Sequence, residues 1–387
     1  MKQDRLILKI QKSTTTMLLG RRKSSLAKLA ASAIAYLSLS YALPTKSSFN
    51  EIMSFAIPRS PSGMFFDEDG SSLLYVLCGT QTNEDHYLYA FTTEGDEECV
   101  ITIPQAAGMS RVDGFYIVDD KAYIVDSQGP IYAGTSPDRL GGSVYEVEWT
   151  DPCGCSSGAC TSTSSTWSPT VIKQWSLSAS DVSAQEGGGS DEYFRNSGIV
   201  VVGDSFFAVN GVHPIDGSLT DSYSKSIAKV DMMSSTVTES WPFDESTIGR
   251  DVDMEGLTCG PDQCRSSLYI GDEYNFIYKM DLGSGEVTHE WDLGDIVNVF
   301  RTDKGIEALA YAKTTGYFYA GIQDTATVHV VRLNGVDQKG ASTDVPTDST
   351  TEESEAGDVA SSQTSVRIRG VLCLLRPRGN KHNSSLP

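Results

Sequence analysis

The chain is poor in basic side chains and in histidine. Against 51 Asp and Glu it carries 30 Lys and Arg, a formal net charge of -21. A surface of that sign is repelled by a phosphate backbone, which argues against nucleic acid as a partner. With five histidines, a histidine-built zinc site is not expected. The eight cysteines include no C-x-x-C pair, so zinc-ribbon and thioredoxin-type readings fail. Also absent are a Gly-x-Ser-x-Gly nucleophile motif, a phosphate-binding Gly-Lys loop and a dinucleotide fingerprint. No stable membrane span is expected: the apolar run Leu29–Leu39 has roughly half the length of a spanning helix, and Val371–Leu375 is shorter still.

What is present is enough apolar material for a packed core, 39% hydrophobic and 9% aromatic. The N-terminus has the order of an export signal. Arg21, Arg22, Lys23 and Lys28 precede Leu29–Leu39, and Ser40-Tyr41-Ala42 offers small residues for cleavage near Ala42. Residues 1–42 are therefore read as a signal peptide, with Met17 as an alternative start. An organelle transit peptide is the rival, because Lys, Arg, Ser and Thr dominate the first 28 residues. The cysteines agree with a secreted, extracellular location, where disulfides persist. Cys259 and Cys264, with four residues between them, can close a hairpin. Cys78 and Cys99, in one repeat, are the other disulfide candidates, and the connectivity of Cys153, Cys155 and Cys160 stays open.

The most informative feature is an internal repeat. Five times a small or acidic residue is followed by Gly or Ala, an apolar strand, a turn and a second aromatic-rich strand. The starts are Ser62-Gly63, Asp113-Gly114, Ser197-Gly198, Glu255-Gly256 and Glu307-Ala308, spaced by 51, 84, 58 and 52 residues. A period near 50 without helical periodicity is that of a four-stranded blade, so the fold class is all-β, a β-propeller. Five blades are recognisable, five or six in total, since the long interval could hold another. The fifth repeat stops one strand short, and Glu51–Ile57 has the character to supply it, closing the ring with the N-terminal strand. The propeller is expected over 43–335, with a Cys/Ser/Thr-rich insert at about 150–170. Residues 336–387 read as a disordered acidic Ser/Thr-rich stalk and a basic tail.

Loops entering the innermost strands and leaving the second strands share one face. Asp113, Glu255 and Glu307 stand at innermost-strand starts. Asp126, Asp272, Glu273 and Asp324 follow second strands, with Asn210 at the matching place in the third repeat. Arg59, Arg111, Arg195, Arg250, Arg301 and Lys304 lie shortly before the repeat starts. Carboxylates in such number suit calcium, which takes six to eight oxygen ligands. Arg111, Arg195 and Arg250 would suit an anionic small molecule through paired hydrogen bonds. Both sets also fit a purely structural role as turn formers and inter-blade ion pairs. Gly203-Asp204-Ser205 and Asp67–Gly70 read as hairpin turns.

The segment DMEGLTCGPDQCRSSLYIGDEYNFIYKMDL resembles the phytase-like and SdiA-regulated propellers through Asp253, Glu255, Gly256, Leu268, Tyr269, Ile270, Asp272, Glu273, Ile277, Tyr278 and Lys279. The resemblance extends over 253–333, with Ala308 replacing the Gly that follows the acidic residue in the next blade. It implies a six-bladed or similar propeller with calcium near its axis, with Glu255, Glu273 and Glu307 as ligands and Asp272 less firmly assigned. In phytases, calcium and basic residues position a phosphate ester for attack by water. The first half departs from that pattern, and no phytate grip is recognisable there. Two functions are compatible with these residues. One is a secreted calcium-binding propeller that takes a ligand or extracellular partner through its loop face. The other is a calcium-dependent phosphoester hydrolase.

Overall fold

The computed structural model describes residues 43–79, 84–104, 109, 111–126, 143–155, 159–176, 195–211, 225–243, 245–297 and 304–336. The expected signal peptide, and the stalk and tail beyond residue 336, lie outside them. The chain divides into two units, residues 1–343 and 344–387, and every described element belongs to the first.

Five antiparallel sheets form the blades. The first comprises β3 (Pro61–Phe66), β4 (Leu74–Cys78), β5 (His86–Phe91) and β6 (Glu97–Ile103). The second holds β7 (Val112–Val118), β8 (Lys121–Asp126), β9 (Ser143–Glu148) and β11 (Val171–Ser176). The third is β12 (Arg195–Val202), β13 (Ser205–Gly211), β14 (Ser226–Asp231) and β15 (Thr236–Pro242), followed by one helical turn, α1 (Glu245–Ile248). The fourth is β16 (Met254–Cys259), β17 (Ser267–Asp272), β18 (Phe276–Asp281) and β19 (Val287–Asp292). The fifth is β20 (Ile306–Ala312), β21 (Tyr317–Ile322), β22 (Thr327–Leu333) and, on its outer edge, β2 (Phe49–Ala56). β2 runs antiparallel to β22, with Phe49 opposite Leu333 and Ala56 opposite Thr327. The N-terminal strand thus closes the ring.

The blade count is settled by the long interval. It contains the whole second blade plus the insert between β9 and β11. The insert's short β10 (Ser164–Thr166) leaves its own blade and pairs in parallel with β6 of the first. Each innermost strand lies beside that of the next blade, and β20 returns to β3. A strand of two residues, β1 (Thr45–Lys46), pads β19 in the same parallel manner.

Burial follows strand position. β4 is buried at every residue because blades stack on both its faces, whereas β6 alternates. The core is five hydrophobic clusters, each between two adjacent blades. Tryptophans on three outer strands tie one blade to the next. Trp175 Nε1 donates to Met232 O at 3.3 Å, Trp241 Nε1 to Leu282 O at 3.1 Å and Trp291 Nε1 to Asn334 O at 3.1 Å. Each ring removes a large apolar area from water while its one polar group finds a partner.

The disulfides correct one expectation. Cys78 does not bond Cys99. Cys78 stands opposite Tyr87 while Cys99 stands opposite Ala90, so β5 separates them and they lie at different heights of the blade. Cys99 instead bonds Cys153, fastening the insert across two blades, and Cys155 bonds Cys160 within it. Cys259 bonds Cys264 and closes the β16–β17 hairpin. Cys78 is a buried free thiol whose pKa is raised by burial.

Candidate functional site

The repeated small-or-acidic residue followed by Gly has a geometric cause. In every innermost strand the register shifts at that place: between Pro61 and Gly63, Val112 and Gly114, Asn196 and Ile199, Met254 and Gly256, and Ile306 and Ala308. Such a bulge re-aims the side chain it carries. Four of the bulge residues are Ser62, Asp113, Glu255 and Glu307, all buried. The following residue must be small because the neighbouring backbone is against it. A Cβ at Gly114 would lie 2.4 Å from Ser197 O, and one at Gly198 2.6 Å from Glu255 O. On the axis, between these glycines, about 10 Å³ remains, room for one water at most.

On the face where the innermost strands begin, the acidic side chains converge. One oxygen each from Asp253, Glu255 and Glu273 lies within 4.8 Å of the others, close enough for a single cation to touch all three. Glu307 is 3% exposed and hydrogen-bonds with Glu273. Burial raises the Glu307 carboxyl well above the usual range, reinforced by the charges of Glu255 and Glu273. Glu273 is raised by burial and then by Glu255. Two basic groups answer them among the described side chains. Lys304 Nζ is 3.7 Å from Glu273 Oε1, and Arg111 Nε is 3.1 Å from Asp113 Oδ1. Among the described residues, one oxygen of Asp113 and one of Glu307 are buried without a hydrogen-bond partner.

The remaining residues singled out from sequence have other positions. Asp272 turns into its own blade, where Oδ1 accepts the Asp253 N–H at 2.7 Å and Oδ2 accepts the Tyr278 hydroxyl at 3.2 Å. Burial pushes its pKa up to about 7. Asp126 occupies the same register in the second blade and accepts the Arg111 N–H at 3.2 Å. These aspartates hold the loop that enters the innermost strand, so Asp272 acts on the cluster through Asp253. Arg250 is committed within the fourth blade. It bonds Glu290 at 2.5 Å and the Tyr278 hydroxyl at 3.1 Å, and it lies 3.5 Å from the Phe276 ring centre. Arg59 lies over the Tyr87 ring. Arg301 and the side chains of Arg195 and Asn210 are outside the described residues. Asp253 is the residue that sequence reasoning passed over as a ligand. Its signal was the alternation Asp253-x-Glu255, two carboxylates entering one strand.

Fold and site together define the class: a five-bladed β-propeller with a carboxylate cluster at one end of a closed axis. Residues 187–379 match the model of the phytase-like family, described as esterase-like activity of phytase. The matched segment contains the third and fourth blades and all of the fifth except its outer strand β2. Solved structures similar to the chain include glutaminyl cyclase of Myxococcus xanthus, at 11% identity and a TM-score of 0.48, covering 76% of this chain and 100% of that one. The Pan2 WD40 domain of Neurospora crassa follows at 9% and 0.39, covering 76% and 98%. Raptor of Chaetomium thermophilum, at 10% and 0.34, matches over 71% of this chain and 20% of its own. No curated protein matches.

Proposed function

We propose that this is an exported calcium-binding propeller whose carboxylate face engages an anionic ligand or extracellular partner. The observation that carries it is the convergence of Asp253, Glu255 and Glu273 beside the buried Glu307. Carboxylates forced together in this way must share protons or gather round a cation. The donor set is all oxygen, as calcium requires, and the partnerless oxygens of Asp113 and Glu307 leave acceptor capacity unused. Asp253, Glu255 and Glu273 would hold the ion, with Glu307 behind them. The three disulfides, together with the absence of any helix long and apolar enough to cross a membrane among the described residues, support export.

A calcium-dependent phosphoester hydrolase is the second reading, favoured by the family description over 187–379. Bound calcium would supply positive charge toward a phosphoryl oxygen. On this chain Lys304, at the rim beside Glu273, would orient the anion while Asp253, Glu255 and Glu273 hold the ion. Arg250 supplies no grip, being spent on Glu290 and Tyr278.

The test is a calcium titration by calorimetry and thermal melting of the full chain, with p-nitrophenyl phosphate turnover measured in parallel. The expected result is calcium-dependent stabilisation that Glu255→Gln abolishes. Stabilisation with turnover selects the hydrolase. No response at millimolar calcium overturns both readings.

A further inference from the structure

The opposite end of the axis carries a second concavity that the carboxylate cluster does not explain. It is a basin of about 770 Å³, within the size range of small-molecule sites. Its wall is aromatic. Phe65, Tyr116 and Tyr311 come from the far ends of three innermost strands, and Trp149 comes from the start of the insert. All four are partly exposed, unlike the fully buried rings between the blades. Phe65 and Tyr116 stand 4.6 Å apart at 60°, and Trp149 is held edge-on against Trp167 at 5.0 Å. These rings are fixed in place by packing and are only partly covered.

The rim is anionic. The tips of the first two inner hairpins present Asp69, Asp119 and Asp120 as exposed carboxylates. Among the described residues none of the three makes an ion pair. Lys313 is the one basic residue of the lining, and its backbone N–H is held by Glu68. The carboxylates do not form a metal site. Among the described residues, the only acidic group close enough to share an ion is the Asp253, Glu255 and Glu273 cluster on the other face. Negative charges spread round an aromatic wall suit a larger cation with an apolar body. Such a cation is drawn by the rim and then held over the ring faces.

We propose that this basin is a second binding site, for a small organic cation such as an aryl- or alkyl-ammonium compound, separate from the axial carboxylates. The experiment is calorimetric titration of the calcium-loaded full chain with benzyltrimethylammonium, and with benzyl alcohol as the uncharged probe. Saturable binding of the cation and none of the alcohol is expected. Asp119→Asn with Asp120→Asn, both at an exposed hairpin tip, should weaken binding about tenfold, and Tyr116→Leu should weaken it by a similar factor. The same titration in chelator should give unchanged affinity, so failure here is separable from failure of the calcium reading. No saturable heat up to about 10 mM probe would overturn the proposal. So would equal binding of benzyl alcohol, or insensitivity to both the rim and the Tyr116 variants.

Discussion

Gly198→Ala tests the link between the closed axis and the carboxylate cluster, although residue 198 carries no charge. The added methyl would meet Glu255 O at 2.6 Å, Leu257 N at 2.7 Å and Leu257 Cβ at 2.8 Å. Ordinary contact begins at 3.4 Å, so β12 and β16 must part by several tenths of an ångström. Neither strand can retreat freely, because five innermost strands pack in a ring. Overpacking of this kind costs about 1–3 kcal/mol, against about 0.4–1 kcal/mol recovered from the stiffer unfolded chain. The net loss should be about 1–2 kcal/mol, or roughly 2–3 °C in melting temperature for a domain of this size. The displaced atoms are the backbone of Glu255 itself, so calcium affinity should fall about tenfold, because ligand oxygens must lie at about 2.3–2.6 Å. Thermal melting in chelator and calorimetry with calcium read the two effects. Ala308→Gly, which removes the one methyl already present at this level, should weaken stability by under about 1 kcal/mol and leave affinity unchanged. A Gly198→Ala protein as stable as the parent, binding calcium equally well, would refute the argument that the axis holds the cluster in place.

Two further outcomes rest on the same structure. Glu273 and Glu307 have folded-state pKa values above their ordinary 4.5, so the folded state keeps protons that the unfolded chain has released. Stability in chelator should therefore be full below about pH 4.5 and fall as pH rises toward 8. Glu307→Gln should remove much of that fall, and a melting temperature that rises over this range would contradict it. Loop-closure entropy ranks two of the disulfides. Removing Cys99–Cys153, with a sequence separation of 54, should cost about 4 kcal/mol, against about 2 kcal/mol for Cys259–Cys264, with a separation of 5. Urea unfolding of the double-serine variants measures both, and equal losses would show that chain entropy is not what they contribute.

Much of this was legible in the sequence because it is written locally. A bulge residue followed by Gly marks each innermost strand, and the fifth repeat's missing strand, set beside Glu51–Ile57, announces the ring closure. Cys259 and Cys264 bracket a short hairpin, so their pairing needs no knowledge of other blades. The recurrent Trp175-Ser-Leu, Trp241-Pro-Phe and Trp291-Asp-Leu is also a local pattern, but the role of each indole depends on a carbonyl of the next blade.

Local sequence thus determined the all-β repeat, the four-stranded blade and the acidic character of one face, since strand alternation, turns and bulges depend on neighbours along the chain. Tertiary structure alone decided which residues of distant repeats meet. It set the blade number by sending β10 to a neighbouring sheet, and it paired Cys99 with Cys153. It turned Asp272 inward while drawing Asp253 to the cluster, and it spent Arg250 on Glu290. It also gathered Phe65, Tyr116 and Tyr311 around one basin. The disulfide, β10 and the basin join different blades, whereas the Asp272, Asp253 and Arg250 contacts arise within the fourth blade once its four strands are paired.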